Sequence, residues 1–286
     1  MSAVIRLTKL PICALCALAG AAAHIMAAGG LRSGAAAVFA GIMLAACGAC
    51  ALNQWQERST DALMERTRRR PLPSGQLKPQ SALALSNLLS ASGLFILYAA
   101  AGPLPAALCL GSALWYNAVY TPLKKRTAFA VVPGALIGAL VPAAGWAAAG
   151  GGLLDARLLS FSFFIFMWQV PHFWLLGLIY ADDYERAGFP TTRGLFGEER
   201  AARLIFVWAA ATAMSGLLLP LFGSVRTVPA AVLLIAAAAL TFARAARLAS
   251  VRADIRSLRA GRTAMNAQMA MVVLALLIEG VPGTPL

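Results

Sequence analysis

Long apolar runs broken by short polar stretches dominate this chain, at a length that suits membrane crossing. Nine runs are long enough to span, or nearly so: about 11–29, 35–53, 81–100, 103–122, 128–149, 156–180, 203–223, 228–248 and 264–281. In hydrocarbon every backbone N–H and C=O must find its partner within the protein, which a helix achieves inside its own segment. The pattern therefore predicts an all-α polytopic membrane protein with nine transmembrane helices. The first run follows Arg6 and Lys9 and continues into Ala-rich sequence, as a secretory signal would. Kept as a span it preserves nine crossings and a consistent charge order, so it is read as a membrane helix.

Composition agrees: 60% of residues are apolar and 12% charged, with a mean hydropathy of +0.75, far from the soluble balance. When nine spans are threaded, 21 of the 24 Lys and Arg fall on one side, leaving Arg32, Arg157 and Arg226 on the other. The positive-inside rule puts that richer side, and the N-terminus with it, in the cytoplasm and the C-terminus opposite. A bacterial inner membrane fits, since no long Arg- and Ser-rich leader is seen. The net charge of +13 thus reads as topology, and no nucleic-acid partner is expected. Nine of the eleven acids share the cationic side, so that face is where chemistry could sit.

The longest polar interruption, NQWQERSTDALMERTRRRPLPSGQLKP from Asn53 to Pro79, carries the chief candidates. A helix continued past Asn53 would fan Asn53, Glu57 and Asp61 over only about 80° of one face. An amide oxygen and two carboxylates suit a hard cation such as Mg²⁺. Arg66 and Arg70, which follow, suit phosphate oxygens. The bland alternative is a helix end with charge pairs and a positive-inside loop.

Three further stretches matter. LWYNAVYTPLKKRT places Trp115, Tyr116 and Tyr120 near a helix end before Lys124, Lys125 and Arg126; these are interfacial anchors, or a wall that stabilises a cation beside groups reaching for a diphosphate. In FMWQVPHFWLLGLIYADDYERAGFP, Pro171 should kink the span while Gln169 and His172 add polar groups at the same depth. Asp182 and Asp183 follow at the membrane edge, where they could bracket a Mg²⁺–diphosphate with Glu57 and Asp61. The six arginines between Arg244 and Arg262 predict a cytoplasmic helix lying at anionic headgroups. The five cysteines, including two C-x-x-C pairs, lie in apolar spans and read as small core residues.

The Asn53–Pro79 stretch resembles the first motif of the protoheme IX farnesyltransferases (haem O synthases), a branch of the UbiA-type intramembrane prenyltransferases. YTPLKKRT with GALIGALVPAAGW is similar to the second motif, and WQVPHF through DYERAGFP to the third. Together they cover the middle half of the chain. This likeness implies a single domain over residues 1–286, its nine helices set around a central cavity opening to the cytoplasmic side. The resemblance implies transfer of a farnesyl group from farnesyl diphosphate to a vinyl group of haem b in the lipid bilayer, with Mg²⁺ held by Asn53, Glu57, Asp61 and Asp183. It implies that Arg66, Arg70, Lys124 and Lys125 neutralise the diphosphate and that Trp168, Gln169, His172 and Tyr120 lie near the haem. It also leaves a haem A synthase or an oxidase-assembly factor as a candidate partner. Ser59, Ala130, Val141 and Thr191 depart from the usual pattern and bear on the acceptor pocket; Glu57 replaces a frequent Asp. A related enzyme with a quinone-precursor or other aromatic acceptor is the alternative. A transporter would need ionisable groups deep in several spans, and a non-catalytic haem carrier would leave the acidic face beside the Arg cluster unexplained.

Overall fold

The computed structural model describes residues 3–250 and 254–280, and no strand occurs among them. The long helices are α1 (Leu10–Ala28), α2 (Gly34–Gln56), α3 (Pro79–Ala101), α4 (Pro103–Leu114), α5 (Leu136–Ala148), α6 (Ala156–Ile179), α7 (Glu198–Gly216), α8 (Val228–Ser250) and α9 (Ile255–Glu279). Each packs on its neighbour in sequence and α9 closes on α1, making a ring tied across by α1–α5 and α6–α9 contacts. The outer faces carry large apolar side chains such as Leu88, Phe95, Val207 and Ile235, as lipid contact requires. Inside, Trp146, Leu158, Phe161 and Phe164 are almost fully buried where α5 and α6 meet.

Among the described residues eight helices are long and apolar enough to cross a membrane, against nine expected. The 103–122 run makes the difference. Its α-helical part ends at Leu114, and Trp115–Tyr120 is wound as a π-helix before a short α turn at Thr121–Leu123. The Thr121 N–H bonds the Tyr116 carbonyl five residues back, and Pro122 has no N–H to restore the tighter register.

Small residues bring helices into backbone contact. A Cβ on Gly93 of α3 would lie 2.4 Å from Ala45 N and 2.5 Å from Gly41 O of α2. One on Gly145 of α5 would lie 1.9 Å from Gly20 O of α1. Such approaches supply packing where lipid offers no hydrophobic drive between helices.

The Arg-rich segment is not a separate surface helix. Arg244 and Arg247 sit on the final turns of α8, and Arg256, Arg259 and Arg262 on the first turns of α9. Asp254 caps α9 by accepting the Ser257 N–H at 2.8 Å. Arg252 and the last residue of the ninth run lie outside the described residues.

Candidate active site

The polar stretch after α2 does not continue as one helix. α2 ends at Gln56, Glu57 turns the chain at φ −101°, and Arg58–Asp61 forms a further helical turn. Asn53, Glu57 and Asp61 nevertheless line one cavity of about 230 Å³, and all three are buried. Each is met by a cation. Lys9 Nζ donates to Asn53 Oδ1 at 3.0 Å, Lys124 Nζ lies 2.6 Å from Glu57 Oε1, and Arg70 Nη1 reaches both Asp61 oxygens at 2.8 and 2.7 Å. Arg66 also lines the cavity, with its guanidinium 4.9 Å from the Tyr180 ring centre and its Nη2 donating to the Tyr184 hydroxyl at 3.3 Å. Four cations against two carboxylates leave the cavity positive, which suits a polyanion.

This cavity adjoins an apolar chamber of about 200 Å³ walled by α1, α2, α4 and α5, with Ile42, Ala45, Ala49, Ile137 and Val141 among its lining. Lys9, Ile12, Tyr116, Tyr120 and Phe173 line both spaces and form the neck between them. The π-wound turn presents Tyr116 and Tyr120 there, their rings stacked with centres 6.0 Å apart. It also sets Thr121, whose hydroxyl donates to the Tyr116 carbonyl at 2.9 Å and accepts from Asn53 Nδ2 at 3.0 Å.

Other expected site residues fall elsewhere. Asp183 is buried, but its Oδ1 accepts the Glu65 N–H and its Oδ2 the Arg66 N–H, both at 3.0 Å, with Arg186 Nη1 at 3.3 Å. It lines a different recess, beside Tyr180 and Arg186. Burial alone would raise its carboxyl, yet the two N–H groups and the charges of Arg186 and Arg66 hold it below the usual value. Asp182 and Glu185 pair with Arg193. Lys125 is exposed and lines neither space. Gln169 lines the chamber and donates to the Ala135 carbonyl at 2.8 Å. Trp168 and His172 line neither space; they stack with centres 4.5 Å apart, and Trp168 Nε1 donates to the Met265 carbonyl of α9 at 2.6 Å.

Sequence reasoning treated Lys9 as a topology charge and missed it as a site residue. The available signal was its place directly before a helix that opens Leu10–Pro11. Cys13, Cys16, Cys50 and Cys109, read as core, line the chamber. Among the residues that depart from the resemblance, Ala130 and Thr191 line the polar cavity and Val141 the chamber.

Residues 11–272 match the UbiA prenyltransferase family. A protoheme IX farnesyltransferase of Geobacter sulfurreducens is 45% identical over 206 residues, 72% of this chain and 76% of that protein. One from Oleidesulfovibrio alaskensis is 33% identical over 273 residues, 96% of this chain and 94% of that protein. In fold, the chain matches a UbiA homolog from Archaeoglobus fulgidus bound to GPP and Mg²⁺, with a TM-score of 0.69 at 18% identity over 97% of this chain and all of that one. With its ring of helices, its motifs and its relatives in accord, this chain belongs to the UbiA prenyltransferase family, beside the protoheme IX farnesyltransferases.

Proposed function

We propose that this protein transfers the farnesyl group of farnesyl diphosphate to a vinyl group of haem b, making haem O. The observation that carries the donor is the pair of joined spaces. A positive, oxygen-lined cavity opens through a tyrosine neck into an apolar chamber, which matches a charged head on a hydrocarbon tail. The acceptor follows from the relatives, whose names specify protohaem.

The residues fit Mg²⁺. Asn53, Glu57 and Asp61 present buried hard oxygen donors on one cavity, the amide hydrogen-bonded to Lys9 and the two carboxylates paired with Lys124 and Arg70. When bound, the ion draws off negative charge that develops on the diphosphate as the allylic C–O bond ionises. Arg66, Arg70 and Lys124 grip phosphate oxygens, and Lys125 adds to the field from outside. Asp183 holds the Arg66 segment in place rather than joining the ligands. The bond between farnesyl C1 and oxygen breaks with its electron pair leaving on diphosphate, and C1 joins the terminal vinyl carbon. Water adds to the resulting side-chain cation and loses a proton. The faces of Tyr116 and Tyr120 stabilise the allylic cation at the neck, and Tyr120 and Gln169 form the near wall for the acceptor, with Trp168 and His172 behind them.

The cationic loops support a site at the cytoplasmic face of a bacterial inner membrane, with the N-terminus cytoplasmic and the C-terminus opposite; haem O would then pass to a haem A synthase or an oxidase-assembly factor. The experiment is product mass after incubation with reduced haem b, farnesyl diphosphate and Mg²⁺, beside an Asp61→Ala control. A haem species gaining one farnesyl group and one hydroxyl, absent from the control, supports the reading. Diphosphate release with haem b unchanged would overturn the acceptor, and no reaction by folded protein would overturn the enzyme.

A further inference from the structure

We propose that Lys9 is a catalytic residue that holds the bridging oxygen of the scissile C–O bond. The inference rests on the prenyl-transfer reading and deepens it. If the diphosphate fills the polar cavity and the prenyl chain fills the chamber, the bond joining them lies at the neck the two spaces share. Of the five residues lining both, Lys9 alone is a cation. Arg66, Arg70 and Lys124 line only the polar side, so they meet the outer phosphate oxygens. The Lys9 ammonium already donates at the neck, to Asn53 Oδ1 at 3.0 Å and the Tyr116 hydroxyl at 3.4 Å.

The backbone supplies an independent observation. Lys9 has φ 52° and ψ 45°, and among the described residues it is the only non-glycine with positive φ. This conformation is uncommon for an L side chain and survives where surroundings over-determine it. Here they do. The Lys9 carbonyl accepts from Ile12 N at 2.9 Å to start α1, while Gln54 Nε2 donates to the Arg6 and Leu7 carbonyls at 2.7 and 2.8 Å. The reversal between the Ala3–Thr8 helix and α1 turns the lysine inward. A residue chosen for the turn alone would be glycine.

In the step, the C1–O bond breaks heterolytically and its electron pair goes to the bridging oxygen. A Lys9 N–H donates a charge-assisted hydrogen bond to that oxygen as its charge grows. No proton need transfer, and the diphosphate departs as the leaving group. Because the charge on this oxygen appears only as the bond breaks, Lys9 acts on turnover more than on binding.

Lys9→Gly separates this role from a structural one. Turnover, read as diphosphate release in the full-length protein with farnesyl diphosphate and Mg²⁺, is expected to fall about 10²–10³-fold, the scale for losing one such donor. The melting temperature should stay level or rise, and inorganic diphosphate should compete within about threefold of its wild-type affinity if the outer oxygens keep their partners. Ethylammonium should restore part of the rate in Lys9→Gly with saturation, without affecting wild type, and Lys9→Arg should retain part of it. Unchanged turnover in Lys9→Gly would overturn the proposal. So would a loss that follows diphosphate affinity alone, with no response to ethylammonium. Where no correct acceptor is present, water captures the farnesyl cation as farnesol with loss of a proton, so a wrong acceptor leaves the result readable. Absence of release by the wild type would overturn the prenyl-transfer reading and this inference together.

Discussion

Asp183→Asn distinguishes a metal ligand from a residue that holds a loop. In the structure both carboxylate oxygens take backbone N–H groups of the Arg66 segment, each at 3.0 Å. Hydrogen bonds to a charged group contribute about 1.5–3 kcal/mol each. Asparagine keeps one acceptor and sets an NH₂ against the other N–H, so the expected cost is about 2–3 kcal/mol, borne locally by the segment that carries Arg66 and Arg70. At 1.4 kcal/mol per decade, that raises the open population of the loop roughly 30–140-fold. Limited trypsin digestion reads it directly, as faster cutting after Arg66, Arg68 or Arg69. KM for farnesyl diphosphate should rise, while the Mg²⁺ concentration giving half-maximal rate stays near wild type. Unchanged digestion with a sharply raised Mg²⁺ requirement would refute the reasoning and return Asp183 to the metal. The pH dependence has a definite sign. The Asp183 carboxyl lies below its usual value in the fold, so its stabilisation is complete above the unfolded pKa of about 3.9 and is lost as pH falls through the lower folded value. Wild-type protein should therefore resist digestion at neutral pH, and a pH-tolerant protease should reveal opening only in strong acid.

Further outcomes follow from the packing and the chamber. Val141→Phe, which adds bulk to the chamber wall, should shift the preferred donor from farnesyl to geranyl diphosphate, measured as a kcat/KM ratio; an unchanged ratio would place the chain elsewhere. Trp168→Phe removes the 2.6 Å tie to Met265 and should lower stability by about 1–3 kcal/mol while leaving the product mass unchanged. Gly93→Ala forces α2 and α3 apart, since its Cβ meets backbone atoms, and should cost about 1–3 kcal/mol in unfolding assays.

The sequence shows the membrane class plainly, because an apolar run of about twenty residues admits few folds. It also groups Asn53, Glu57, Asp61, Arg66, Arg70 and Lys124 as candidates for one chemistry by residue type, and the fold sets all six around one cavity. Other features depend on where distant segments meet. That Asp183 faces the Glu65–Arg66 backbone, 117 residues or more away, cannot be read from local spacing. The break at Glu57 and the π-wound turn at Trp115–Tyr120 are register changes that average periodicity smooths over. Lys9 looked like one more positive-inside charge, and only the fold shows that its ammonium turns back into the protein. The resemblance implies that Trp168, Gln169 and His172 lie together near the haem, but a helix sends neighbours in different directions, so Gln169 lines the chamber while Trp168 ties to α9 with His172 stacked on it.

The pairing of each donor oxygen with its own cation has a consequence for the order of events. If Asn53, Glu57 and Asp61 hold the metal as proposed, a bare ion arriving there would have to displace Lys9, Lys124 and Arg70 and leave three positive groups facing it. A bare diphosphate can recruit those cations only by leaving two carboxylates unaccompanied beside its own charge. Neither visitor is well received alone, and each supplies what the other displaces. On the proposed function the resting site would therefore work as a coincidence detector, in which metal and diphosphate raise one another's affinity by the same factor.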